Sequence, residues 1–267
     1  MESRKEKERE YFDKKSLESL PDIYDWKSGS ETYRPIIRDP HVFCEQWLKQ
    51  RCLDKKILDY GCGHGIHSIF PVKHGACVVG IDISVESIKI AKQRSIREGV
   101  DKSTTFLMMD AEALGFDDNC FDLIITNGSL SYLDLQKAFS EMARVLKPGG
   151  YVIGVDTIGH NPVLNLNRKI RLKISQRTKW SIDHILKKSD YDITKSYFNN
   201  VEFNFFNLTT LAALPFPKLP GFGSLLRVLE TVDSLLLRMP VLKWLAFKAV
   251  FVLSQPIKKQ DVGAKSC

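Results

Sequence analysis

The stretch Ile57-Leu58-Asp59-Tyr60-Gly61-Cys62-Gly63-His64-Gly65-Ile66-His67-Ser68 decides how this chain is read. An apolar run carries an acid near its end and enters a turn with glycine at every second position. An amphipathic segment follows. This is the pattern of a buried strand, a glycine turn and a helix opening. Glycine lets the backbone take φ > 0 and lets a ligand come close. The helix opening offers free N–H groups to a polar ligand. Alone, the turn does not separate a ligand cradle from an ordinary loop.

Downstream, strands and helices alternate. Cys77 to Asp82, Thr104 to Met109, Phe121 to Thr126 and Tyr151 to Asp156 read as further strands. Ser84 caps a helix running to about Gly99, with Ile88, Ile90 and Ala91 on its apolar side. Leu133 to Leu146 reads as another helix, stopped by Lys147-Pro148-Gly149-Gly150. Pro71 shortens the helix that follows the glycine turn. Such alternation requires crossover connections and a mostly parallel sheet, an α/β fold with helices on both faces.

Upstream, Asp39 to Cys52 suits an amphipathic helix, with Asp39 as its cap and Pro40 at its first position. Met1 to Lys15 mixes both charges and is expected to be an exposed helix. Between them Tyr24, Trp26, Tyr33 and Arg34 either pin the segment to the domain or form a lid. Residues 1–52 are therefore expected to form an N-terminal helical cap, and 53–257 the main domain. Beyond Thr157 the pattern changes. A basic segment, Asn161 to Lys179, and the region Asp183 to Phe198 read as helical, an insertion over about 161–200. Val201 to Phe206 and Phe247 to Leu253 read as strands, flanking a Leu- and Pro-rich insertion from Leu208 to Leu245. The tail 258–267 reads as disordered.

Ligands of open parallel sheets bind at the carboxyl ends of the strands. Four special turns fall there: Gly61 to Gly65, Asp82, Asp110 and Asn127. Asp82 lies about 20 residues past the first glycines, where an acid can accept from both ribose hydroxyls of a nucleoside. Any one acid at a strand end serves equally well as a turn residue; the set together points to a nucleoside site.

Leu58 to Gly65, Gly80-Ile81-Asp82-Ile83-Ser84, Asp110 to Leu114, Phe121 to Ile124 and Leu146 to Gly150 closely resemble the class I S-adenosylmethionine-dependent methyltransferases. The nearest likeness is to the small-molecule branch of the ubiquinone and menaquinone biosynthesis type. The resemblance covers about Ile57 to Asp156. It implies a Rossmann-like seven-stranded sheet with its last strand antiparallel, and S-adenosyl-L-methionine as cofactor, released as S-adenosyl-L-homocysteine. It also implies roles for single residues. Gly61, Cys62 and Gly63 would face the methionine part and Asp59 would orient its ammonium. Asp82 would hold the ribose, Ile83 would pack on adenine, and Asp110 with Ala111 would bind the adenine edge. Asn127 would contact the methionine moiety. Where the family has a histidine-rich run after the fourth strand, this chain has Gly128-Ser129-Leu130-Ser131-Tyr132, so no histidine role carries over. The spacing Gly61, Gly63, Gly65 also lacks the third glycine that dinucleotide enzymes place for a pyrophosphate.

Methyl transfer from a sulfonium asks for alignment, exclusion of water and, for many acceptors, removal of a proton. The candidate bases are His160, just past the fifth strand, and Tyr132. His160 and Tyr33 are the candidate acceptor contacts. His64 and His67 are read as shaping the pocket. No Cys/His cluster has metal-ligand spacing, and the six cysteines are scattered without a C-x-x-C pair, which suits a reducing cytoplasm. The first ten residues are too charged for a signal-peptide core, and no uninterrupted apolar run reaches bilayer-spanning length.

Net charge is +7, which permits anionic partners without naming one. Nucleic acid is disfavoured, because the N/D-P-P-aromatic motif of nucleic-acid amino-methyltransferases is missing after the fourth strand. The Leu-rich insertion favours a small hydrophobic or lipid-linked acceptor, with oxygen as the methylated atom, and peripheral contact with a membrane. The alternatives are N- or C-methylation of an aromatic or isoprenoid natural product, and a non-catalytic cofactor-binding subunit.

Overall fold

Apolar runs that stay hydrophobic on both faces build the centre of the molecule. In the computed structural model residues 2–18, 31, 34–162, 164–166, 179–216, 218 and 220–258 are described. Their strands are β1 (Lys56–Tyr60), β2 (Cys77–Asp82), β3 (Thr104–Met108), β4 (Phe121–Asn127), β5 (Leu146–Thr157), β6 (Phe198–Phe206) and β7 (Lys248–Pro256). They form one sheet in the order β3-β2-β1-β4-β5-β7-β6. β1 to β5 pair in parallel, and β7 runs antiparallel to both neighbours, with Val152 opposite Leu253 and Phe203 opposite Phe251. The strand order reverses beside β1, which opens a crevice above β1 and β4, where ligands of such sheets sit.

Successive strand residues face opposite ways, so the sheet feeds two cores. Leu58, Tyr60 and Ile124 pack with Phe139 and Met142 of α5 (Leu135–Val145). Ile57, Leu123, Ile125 and Ile153 pack on the other face with Cys44 and Leu48 of α2 (Asp39–Lys49). α2 begins one residue earlier than its sequence suggests: Arg38 is the cap and Asp39 the first helical residue. Short α3 (Ile69–Lys73) contains Pro71, and α4 (Val85–Arg97) is capped by the Ser84 hydroxyl, which accepts from the Ser87 N–H at 3.0 Å.

Two expectations are corrected. The first helix, α1 (Glu2–Glu18), is not simply exposed: Glu8 and Ser16 are buried, and the helix packs against α4. Its anchoring contacts are mainly ion pairs and hydroxyl hydrogen bonds, so hydrophobic periodicity carries little trace of them. The region Asp183 to Phe198, read as helical, is helical only in short pieces, with a 3-10 turn over Ile193–Ser196. It holds the end of single-turn α6 (Lys179–Asp183) and the whole of single-turn α7 (Lys188–Asp192), and β6 already starts at Phe198. In the Leu-rich insertion, α8 (Phe222–Leu236) packs Leu226 against Ile36 and Ala213. Asp233 anchors it, accepting from the backbone N–H groups of Leu208 and Thr209 and from the hydroxyls of Thr209 and Thr210. The basic run 168–177, Tyr24, Trp26, Tyr33 and the tail from Lys259 lie outside the described residues. Among the described residues no helix is long and apolar enough to cross a membrane.

Candidate functional site

The glycine turn leaves β1 with Gly61 at φ 74° and Gly63 at φ 50°, both in the left-handed region that side chains avoid. Asp82, at the end of the neighbouring β2, clamps this turn. One carboxylate oxygen accepts from the Gly63 N–H at 2.9 Å and the other from the Ser84 N–H at 2.9 Å. A carboxylate has about four acceptor positions, so Asp82 keeps capacity for a ligand. Burial raises its pKa, partly offset by the two backbone donors.

Asp59 lies behind the turn, 2% exposed, and its carboxylate accepts from the Ser68 hydroxyl at 2.6 Å. Burial pushes its carboxyl up to about 7 despite that hydrogen bond. Cys62 is buried, and its N–H donates to Ile81 across the strand ends at 2.8 Å. On the far side Asp110 turns the chain by accepting from the Glu112 N–H at 2.9 Å. The Tyr60 hydroxyl donates to the Ala111 carbonyl. At the end of β4, Ser129 shares a hydrogen bond with Thr126 at 2.7 Å and donates to the Tyr60 carbonyl at 3.3 Å.

These ends surround a cavity of about 460 Å³. Gly61, Gly63, Asp82, Ile83, Asp110, Ala111 and Asn127 all line it, as does Tyr132. Asp59 and Cys62, both buried, belong to the strand and turn that form its wall but do not line it. α1 roofs it. Lys5 is ion-paired with Asp110 and Arg4 with Glu112, while Phe12 meets the Tyr132 ring edge-on at 4.9 Å. α1 is fixed further along by Asp13, which accepts from the Ser84 hydroxyl at 2.6 Å, and by Ser16, hydrogen-bonded to His64 and Ser87 at 2.9 Å each.

A second group of polar residues adjoins the crevice at Asn127. His41, 3% exposed, stacks on His67 with ring centroids 5.3 Å apart and planes 13° from parallel. Together with Cys44, Glu45 and Asn127 they line a cavity of about 20 Å³, room for one water molecule. Burial lowers His41 to about 2 and His67 to about 4, and Lys248 repels a proton on either ring, so both are neutral at physiological pH. The sequence gives no signal for His41. It precedes β1 by a helix, and only the packing of α2 under β4 and β5 brings it here. His67 was legible only as a neighbour of the turn.

His160 sits elsewhere. It is exposed, its Nε2 accepts from the Lys188 N–H at 2.8 Å at the start of α7, and its ring lies 6.0 Å from Trp244. It does not line the main cavity. No group of three metal-ligating side chains occurs among the described residues.

Residues 58–154 match the family described as methyltransferase domain. The match takes in most of β1, the whole of β2, β3 and β4 and most of β5. A phthiotriol/phenolphthiotriol dimycocerosates methyltransferase of Mycobacterium tuberculosis is 34% identical over 112 residues, 41% of this chain and 40% of that protein. A ubiquinone biosynthesis O-methyltransferase of Coxiella burnetii is 30% identical over 157 residues, 56% of this chain and 64% of that protein. The chain thus spans less than half the length of the mycobacterial relative. The fold is also that of geranyl diphosphate C-methyltransferase from Streptomyces coelicolor, solved with S-adenosyl-L-homocysteine. The two share 15% identity, with a TM-score of 0.54 over 80% of each chain.

Proposed function

We propose that the protein transfers a methyl group from S-adenosyl-L-methionine to a hydrophobic or lipid-linked small molecule, with oxygen as the acceptor atom. One observation carries this reading: Asp82 and Asp110, acids following two neighbouring strands, line one cavity with Gly61 and Gly63. The relatives' names support the acceptor class, and the Coxiella relative's name supports oxygen.

The residues present fit the cofactor. Asp82 has free acceptor capacity for a ribose, and Ile83 offers an apolar edge beside it. Asp110 faces the same cavity with one oxygen engaged by the Glu112 N–H and the other by Lys5, which an adenine amino group would replace. Asp59 would answer an ammonium from behind Gly61. When bound, the cofactor supplies a methyl group already activated by positive sulfur. The protein then aligns and encloses. α1 and Tyr132 close the crevice against water, and Asn127 holds the edge between the crevice and the neutral His41–His67 pair. Tyr132 is the proposed contact for the acceptor. His160 acts as a base only if its bond to the Lys188 N–H opens. Tyr33 is proposed as a second acceptor contact.

Calorimetric titration with S-adenosyl-L-homocysteine tests the cofactor half. Binding is expected for the native chain, with a loss of at least tenfold in Asp82→Ala. No binding, or binding indifferent to that change, overturns the reading. Transfer of labelled methyl into a lipid extract but not into a water-soluble extract tests the acceptor half.

A further inference from the structure

α8 is held to the domain by one side only. Leu226 and Asp233 point inward and are buried. The opposite side carries Ser224, Arg227, Val228, Thr231, Ser234 and Leu235, all exposed, and Arg238 and Met239 continue the surface past the helix end. Val228 and Leu235 lie two turns apart on the same line and are each 60% exposed. Beyond the helix, Met239 and Val241 are 51% and 77% exposed, and before it Phe216 is 53% exposed. Burying none of these apolar groups is costly in water, and their clustering on one insertion is unlike scattered surface residues.

The charges on this insertion are sorted. Between Leu208 and Phe247 the carboxylates are Glu230 and Asp233 alone, against Lys218, Arg227, Arg238 and Lys243. Asp233 is buried in its ring of threonine and backbone donors. Glu230 is half-buried on the flank, where burial and the neighbouring Asp39 raise its pKa. The outward side therefore presents arginine, hydroxyl and aliphatic groups with no acid between them.

We infer that the outward side of α8, with Phe216, Met239 and Val241, docks on an anionic lipid bilayer. Aliphatic side chains enter the acyl boundary while arginines meet the headgroups, the division of labour of an interfacial helix. A second copy of the chain is a poorer occupant. Pairing this side with itself brings Arg227 and Arg238 against their own kind with no carboxylate to answer them. The position has a use as well. α8 packs on Ile36, just before α2, whose first turn carries His41 to the crevice edge. A bilayer under α8 brings lipid-borne molecules to the sheet end where Asn127 stands. The docking itself does not depend on methyl transfer.

The test is flotation of the full chain with vesicles of phosphatidylcholine alone or mixed with phosphatidylglycerol. Binding is expected only to the mixed vesicles, weakening as salt rises. Arg227→Ala with Arg238→Ala should lower partitioning roughly 30-fold, from the usual contribution of a basic residue near an anionic surface. Val228→Ser with Leu235→Ser should abolish flotation while changing the thermal midpoint little, since both side chains are mostly exposed. Absence of binding by the native chain overturns the inference, as does flotation unchanged in the serine variant. A dimer on gel filtration that the serine variant dissolves assigns the surface to a second copy instead and also overturns it. Binding of S-adenosyl-L-homocysteine by the same preparations separates this outcome from failure of the methyltransferase reading.

Discussion

Gly61→Ala should be far more damaging than Gly63→Ala, although the two residues stand two apart in one turn. Both have positive φ, so either alanine incurs about 1–2 kcal/mol of left-handed strain. Their surroundings differ. A Cβ at Gly61 would stand 2.6 Å from the Ser129 Cβ and 3.1 Å from its Oγ, whereas at Gly63 nothing lies within 4 Å. Rotating Ser129 gives no relief, because a Cβ is fixed by its own backbone. Moving that backbone disturbs the bonds from Ser129 to Thr126 and Tyr60. Overpacking of this kind adds about 1–3 kcal/mol. The expected destabilisation is about 2–5 kcal/mol at Gly61 against about 1–2 kcal/mol at Gly63. For a chain of this size each kcal/mol lowers the midpoint by about 2–4 °C. Thermal unfolding followed by circular dichroism should therefore separate the variants clearly. Gly61→Ala should also lose S-adenosyl-L-homocysteine affinity, since Gly61 and Ser129 share the cavity wall. Removing the obstructing Cβ provides the internal check: in a Ser129→Gly background the extra cost of Gly61→Ala should vanish, leaving the left-handed strain alone. Equal midpoints for the two single variants, or strict additivity in the double variant, would refute the packing argument.

The chain should lose stability as pH falls from 6.5 toward 4, because the unfolded imidazoles of His41, His64 and His67 take up protons that the buried rings refuse. Asp59, whose folded carboxyl is raised, contributes the opposite slope between its unfolded value and about 7, so His41→Asn should flatten the acid side of a denaturation-midpoint profile and Asp59→Asn should steepen it. An ammonium-bearing ligand favours the ionised form of Asp59; calorimetry of S-adenosyl-L-homocysteine binding near pH 6.5 in two buffers of different ionisation enthalpy should reveal proton release, absent in Asp59→Asn. Lys5→Ala should tighten that binding by up to about fivefold, the usual worth of a partly exposed ion pair, because Lys5 occupies the carboxylate that an adenine amino group would use; weaker binding would make Lys5 a cofactor contact instead.

The cavity residues proposed to hold the cofactor could be picked out along the chain because they come from contiguous units. Each strand delivers its acid to the same sheet edge, and the turn or helix cap that follows fixes the side chain locally. Asp82 illustrates this. It answers the N–H of Ser84, two residues on, and its remaining link to Gly63 crosses only one strand pair. Parallel strands in register carry the rest of the geometry, so spacing along the chain translates into position in space. The neighbouring His41–His67 group, which adjoins the cavity at Asn127, is built differently. His41 comes from a helix preceding the sheet, Asn127 from β4 and Lys248 from the start of β7, which inserts between β5 and β6. Their meeting depends on strand order and on how α2 lies under β4 and β5, neither of which any local pattern encodes. α1 is legible as a helix, but the contacts that bury one side of it are not, for a related reason. It roofs the crevice through ion pairs and hydroxyls, and a helix that binds by polar contacts has the same sequence signature as one facing water. The two groups therefore differ in how they tolerate change. Cavity residues are constrained by the backbone they terminate, as Gly61 is by Ser129. Residues around the His41–His67 pair are constrained mainly by packing between segments, so substitutions in α2, α8 and the start of β7 should reshape that side while the glycine-walled cavity stays intact, and on the proposed function that side meets the acceptor. Acceptor choice should accordingly follow these segments, and an exchange of residues 208–247 between relatives should move acceptor preference without moving affinity for S-adenosyl-L-homocysteine.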